Sequence, residues 1–234
     1  MSRTLKTVVR AAIGSAAFIG AALATTSAMA AVEVLNFAGL DGAHQEQPLE
    51  YYNGGLGGLG SGPGPNYGIS FGADTIVCSD INHGGCNTDM IPGGPGANIL
   101  YFLSGPGDVM NVSGGFDTGF SFFYSAIGFT GTVTVYSGLD STGSVLATLN
   151  LGLTPIAGPG CAAQYCPFSA AGVTFAGLAH SVNFSGTADY IAFADITLGS
   201  PDAGGSPIPE PANVALMLAG LGLLGVAGRR RGRA

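Results

Sequence analysis

Between residues 32 and 199 the chain is a succession of short apolar runs bounded by Gly, Asp or Pro. They are "VEVLNF" (32–37), "NYGISF" (66–71), "NILYFL" (98–103), "GFSFFYSA" (119–126), "GTVTVYSG" (131–138), "SVLATLNL" (144–151), "GVTFAG" (172–177), "HSVNFSG" (180–186) and "DYIAFADITLG" (189–199). They are rich in β-branched and aromatic residues, and none shows a convincing helical period. In "TVTVY" the alternation is clear, with Val133 and Val135 on one side of a strand and Thr132, Thr134 and Tyr136 on the other. "YSGLDSTGSVLATLNL" reads as a hairpin that turns at residues 139–143. With 41 glycines available for turns, the fold class expected is all-β, an antiparallel β-sandwich or jelly roll. Low charge and high glycine content also suit disorder, but 47% apolar residues with 13 Phe and 8 Tyr supply a core.

Charge is as unevenly distributed as hydrophobicity. All 7 Lys and Arg residues lie at the two ends: Arg3, Lys6, Arg10, Arg229, Arg230, Arg231 and Arg233. Of the 14 acids only Glu210 falls outside residues 31–208, so that stretch holds 13 carboxylates and no Lys or Arg. Nucleic acid is thereby excluded as a partner, because binding it needs clustered cations to replace phosphate counterions. Anionic membrane surfaces are excluded on the same ground. Cations, neutral polymers and other proteins remain.

Residues 1–30 read as a secretory signal peptide. Arg3, Lys6 and Arg10 form its positive region, residues 11–23 its apolar region, and Ala28-Met29-Ala30 its cleavage site, which leaves Ala31 as the mature N-terminus. The Sec translocon and signal peptidase are the partners this implies. The apolar run is short for a membrane span of ~20 residues. Export makes disulfides of the four cysteines, an even count in an oxidising compartment. Three pairings are open, and the local ones, Cys78 with Cys86 and Cys161 with Cys166, are chosen because each staples a Gly/Pro-rich loop. Neither spacing is that of a zinc site.

The C-terminal segment concerns destination. Residues 31–199 form the mature domain, and residues 200–208, "SPDAGGSPI", read as a flexible linker. Residues 212–228 are a run of 17 without a charge. As a helix the run spans about 25 Å, at about 1.5 Å per residue, against a hydrocarbon core of about 30 Å. Arg229, Arg230, Arg231 and Arg233 then act as a stop-transfer anchor. Physics alone gives a single transmembrane helix with an external domain, and leaves Pro209-Glu210-Pro211 unexplained. Pro-Glu-Pro, one hydrophobic helix and terminal arginines, in that order, resemble the PEP-CTERM sorting signal of Gram-negative bacteria. The resemblance implies an exosortase-like membrane enzyme with a cysteine nucleophile, which cuts near the motif and releases the domain or transfers it to another carrier. The C-terminal helix is then a transient anchor, the destination the cell surface or the extracellular space, and exopolysaccharide or biofilm matrix the setting. "EYYNGGLGGLGSGPGPNYGISFG", "VYSGLDSTGSVLATLNL" and "FSGTADYIAFADITLGS" are also similar to the ectodomain of a group of PEP-CTERM proteins, which carries no assigned activity.

Chemistry is sparsely marked. His44, His83 and His180 belong to no nucleophile motif, and neither G-x-S-x-G nor H-E-x-x-H occurs. No catalytic residue is assigned, although any two of the acids meeting in space would suit a glycosidase. The densest polar segment is "CSDINHGGCNTD" (78–89), where Asp80, Asn82, Asn87 and Asp89 offer the oxygens that Ca²⁺ takes. The alternative there is a disulfide-pinned turn with solvated side chains. In "EYYNGG", Tyr51 and Tyr52 offer rings for a sugar to stack on, or else belong to the core. Residues 54–64 are either a mobile rim or a tightly packed glycine loop. The expectation is an exported structural or adhesive protein, with a carbohydrate-binding module second and a glycan hydrolase third.

Overall fold

The computed structural model describes residues 32–105 and 107–205. The signal peptide with Ala28, Ala30 and Ala31, the sorting segment with Pro209, Glu210, Pro211 and the terminal arginines, and both expected flanking helices lie outside the described residues. Eleven strands follow in chain order: β1 (Glu33–Leu35), β2 (Ile69–Phe71), β3 (Thr75–Cys78), β4 (Ile99–Phe102), β5 (Gly107–Phe116), β6 (Gly119–Ala126), β7 (Gly131–Tyr136), β8 (Val145–Leu151), β9 (Ser169–Thr174), β10 (Ala179–Ser185) and β11 (Ile191–Leu198). The helical structure among the described residues is two 3-10 turns, Gly42–His44 and Ile81–His83. Each of the nine apolar runs holds a strand, whereas β3 and β5 were not expected.

Strands β4 to β11 are arranged as one long hairpin that has been rolled up. β7 pairs with β8, and outward from that turn β6 pairs with β9, β5 with β10 and β4 with β11, all antiparallel. Rolling adds the pairs β7–β10 and β6–β11, so one sheet runs β4-β11-β6-β9 and the other β5-β10-β7-β8. This is the strand order of a jelly roll. β3 extends the first sheet past β4, β2 extends the second past β5, and β1 lies along the end of β11.

The inner faces of the sheets meet in one core. Phe184 of β10 packs edge to face on Phe193 of β11 with centroids 4.9 Å apart, and on Phe120 and Phe122 of β6 at 6.1 and 6.3 Å. Val133 and Val135 are buried there, as their alternation required. Burying each such side chain contributes roughly 1.5–3 kcal/mol. A second, smaller core lies on the outer face of the first sheet, where Cys78, Ile99, Tyr101, Ala192 and Ala194 are covered by Tyr165 and Phe168. β11 is therefore buried on both faces and reads as a nearly continuous apolar run.

Register fixes which loops share an end of the sandwich. The turns after β4, β6, β8 and β10 lie together, because Ser185 pairs with Gly107, Ile191 with Ala126 and Gly131 with Leu151. At the opposite end Glu33 pairs with Leu198, so β1 begins where β11 ends. Within the segment 200–208, the described residues are bonded to the sheet. Ser121 donates its hydroxyl to the Ser200 carbonyl at 2.9 Å, and the Gly204 N–H donates to Thr197 Oγ1 at 3.0 Å. A Cβ on Gly119 or Gly172 would collide with Pro201, so these glycines let the segment lie against the sheet. The folded unit extends through Gly205.

Candidate functional site

Tyr51 and Tyr52 do not form a sugar platform: both are buried. Tyr52 Oη accepts the Phe37 N–H at 2.9 Å, Tyr51 donates to the Ala38 carbonyl at 3.3 Å, and the two rings meet edge to face at 5.2 Å. The cause of this correction is the loop 54–64, which closes over them. A Cβ on Gly64 would strike the Tyr51 ring, and one on Gly57 would strike the Glu46 carboxylate. Glu46 gathers the loop, accepting the N–H groups of Asp41, Leu59 and Ser61 at 2.7, 2.9 and 3.0 Å while fully buried. Burial raises its pKa, but those hydrogen bonds together outweigh burial and hold the carboxyl below its ordinary value.

The disulfides are the two local ones, Cys78–Cys86 and Cys161–Cys166. Around the first, the oxygens expected to converge on Ca²⁺ serve other donors. Asp80 Oδ1 accepts from the Asn82 and His83 N–H groups at 2.9 and 3.0 Å and lies 2.7 Å from His83 Nδ1, capping the Ile81–His83 turn. Asn87 Oδ1 accepts the Gln164 N–H at 3.1 Å, and Asp89 Oδ2 accepts the Ala162 N–H at 2.8 Å. Asn82 reaches Asp89 Oδ1 only at 3.5 Å. Asn87 and Asp89 thus dock the second disulfide loop on the first. The Thr88 hydroxyl, donating to the Tyr165 carbonyl at 3.0 Å, completes the junction. Asp80 and Asp89 share a hollow of about 460 Å³ with Asp41 and His83. Among the described residues no three His, Cys, Asp or Glu side chains are grouped so as to hold a metal ion.

The docked loops wall a cleft of about 430 Å³ on the outer face of β4 and β11. Its floor is Ile99, Tyr101, Ile191 and Ala192, its wall Asn87, Thr88 and Tyr165, and its rim Leu103, Asp189 and Tyr190. Asp189 ties rim to floor: its N–H donates to the Phe102 carbonyl at 2.9 Å, and its carbonyl accepts the Tyr165 hydroxyl at 3.0 Å. Burial pushes the Tyr101 hydroxyl up to about 12, with the Asp189 charge adding to it. Burial, then Asp189 and Tyr190, raise Tyr165 too, in keeping with a hydroxyl that donates to the Asp189 carbonyl. Beyond the rim, the exposed Phe129 meets Tyr190 edge to face at 4.6 Å. The exposed ring pair beside the Asp189 carboxylate suits a polyol. Among the lining residues Asp189 is the one carboxylate, so the cleft lacks the acid pair of a glycosidase. Sequence reasoning singled out none of these tyrosines, since they come from separate segments and only the fold joins them.

An all-β unit with two disulfides is a module built for an oxidising compartment. At the C-terminus, residues 207–231 match the family model of the PEP-CTERM protein-sorting motif. No curated protein matches the chain. Among solved structures it is similar to a family 6 carbohydrate-binding module, with a TM-score of 0.36 and 13% identity over 55% of this chain and 85% of that one. The K2 cleaved adhesin domain of Lys-gingipain gives a TM-score of 0.37 and 14% identity over 57% and 90%. The carbohydrate-binding module CBM6cm-2 from Cellvibrio mixtus lichenase 5A, solved with cellotriose, gives 0.33 and 12% over 48% and 85%.

Proposed function

We propose that this is an exported structural or adhesive protein of the cell surface or extracellular matrix, anchored transiently by its C-terminus and processed by an exosortase-like enzyme. The observation that carries the reading is the match of residues 207–231 to the sorting motif. The test is cell fractionation with mass spectrometry of the mature termini. The expected N-terminus is Ala31 and the expected C-terminus lies near Pro209-Glu210-Pro211. Peptides covering residues 229–233 on most of the surface-located protein would sink exosortase processing and restore a plain membrane anchor.

A second reading, a secreted carbohydrate-binding module, is favoured by the tyrosine cleft. The exposed Tyr190 ring at its rim offers stacking surface, and the Asp189 carboxylate offers an acceptor for sugar hydroxyls.

A further inference from the structure

We infer that the end of the sandwich built by the turns after β4, β6, β8 and β10 is a binding face for a neutral polysaccharide, centred on the cleft of Tyr101, Tyr165 and Tyr190. The inference rests on the carbohydrate-binding reading above and names its site and ligand class.

Four separate turns bring large apolar side chains into solvent at this one end. Leu103, Phe129, Leu153, Ile156 and Tyr190 are each more than 40% exposed. Scattered exposed apolar residues need no explanation, but a set contributed by every turn at one end does. The Phe129–Tyr190 pair carries the aromatic surface from the cleft out over the end. The cleft's volume of about 430 Å³ holds a short stretch of a chain rather than a whole one. A polymer therefore enters the cleft with part of its length and lies over the exposed rings with the rest.

Charge selects the class. Residues 31–208 hold 13 carboxylates and no Lys or Arg, and one of those carboxylates, Asp189, sits on the rim. A uronate-rich or sulfated chain meets repulsion there and no counter-charge. A neutral polyol meets the exposed Phe129 and Tyr190 rings and a carboxylate acceptor. The wall is set in advance by two disulfides and by hydrogen bonds between their loops, so little ordering remains to oppose binding.

The test uses the full chain in a zwitterionic detergent without a sugar headgroup, titrated calorimetrically. The probes are hexasaccharides of β-1,4-glucose, β-1,4-xylose and α-1,4-glucose, with hexagalacturonate as the charged counterpart. At least one neutral probe is expected to bind saturably, and the galacturonate at least tenfold more weakly. Tyr190→Ala and, separately, Phe129→Ala are expected to weaken neutral binding about tenfold or more. Tyr67→Ala, an exposed ring stacked on Tyr52 and remote from this end, is expected to leave it unchanged. Thermal midpoints of all variants establish that each is folded. Neutral binding that survives both Tyr190→Ala and Phe129→Ala overturns this site but leaves the carbohydrate reading standing. Failure of every neutral probe overturns both, while the export reading stands or falls on the mature termini.

Discussion

Asp108, at the start of β5, is buried with little compensation from its neighbours. Its side chain is buried, Oδ2 has no hydrogen-bond partner, and a Cβ on Gly72 would collide with Oδ1. Burial pushes its pKa up to about 6; the Val109 N–H lowers it and the nearby Asp74 carboxylate raises it further. The folded state thus keeps a proton that the unfolded chain, with an ordinary value of 3.8, releases. The stability from this group is full below about pH 4, falls as pH rises through about 6, and stays lost above; the loss is up to roughly 3 kcal/mol. Asp108→Asn is expected to flatten that fall and to be more stable than the parent at pH 8. Urea denaturation of both proteins at pH 5 and pH 8 checks this, and a parent stability that rises between those values would refute it. Glu46 works in the opposite direction. Its lowered pKa contributes stability above the ordinary carboxylate range that is lost as pH falls through the folded value. A sequence does not separate these two carboxylates, because the difference lies in what surrounds each. Glu46 has three N–H donors from two loops, and Asp108 has one.

Secondary-structure elements were legible where both partners were local. β7 and β8 show strand periodicity and flank a turn in which the Thr142 N–H donates to the Leu139 carbonyl at 3.0 Å. β5 was hidden by its own composition, "GDVMNVSGGF". Its polar residues look like turn formers, yet Asn111 Nδ2 donates to Asp140 at 2.6 Å and the Ser113 hydroxyl to the Gly68 carbonyl at 3.0 Å. Gly115 adopts φ 71°, near an irregularity in the pairing with β10. The cleft was illegible for a related reason: Tyr190 and the buried Tyr51 are alike as letters, and loop closure decides which is open. The segment 78–89 left open a Ca²⁺ loop or a disulfide-pinned turn, and the loop that Asp89 holds lies far along the chain. Asp89→Ala is expected to unmoor that loop, speeding hydrogen exchange at the Ala162 amide by tenfold or more while the β10 and β11 amides keep their protection. Unchanged exchange at Ala162 would show that the Cys161–Cys166 disulfide holds the loop without help.

At the scale of the whole molecule, the carboxylate charge is spread thinly over the described domain. Among the described residues the ion pairs are His44 with Asp41 and His83 with Asp80, both at exposed turns. Repulsion between exposed carboxylates costs only about 1 kcal/mol at ~4 Å in water and is screened over about 10 Å by ordinary salt. Since Asp80, Asn87 and Asp89 are engaged by N–H groups, the expected effect of Ca²⁺ on the thermal midpoint is one that NaCl at equal ionic strength reproduces. Additional stabilisation by Ca²⁺ that Asp80→Ala with Asp89→Ala removes would establish a specific site.

The rolled hairpin also imposes an order of events. The β7–β8 hairpin needs only its own residues, but the first sheet has β11 in its interior, between β4 and β6. A chain that emerges N-terminus first must leave β4 and β6 waiting with open edges until residue 198 has appeared, and pairings so distant in sequence form slowly. The sorting motif at residues 207–231 follows almost at once. Completion of the fold and emergence of the address are therefore nearly simultaneous, and a chain cut short before β11 would have neither.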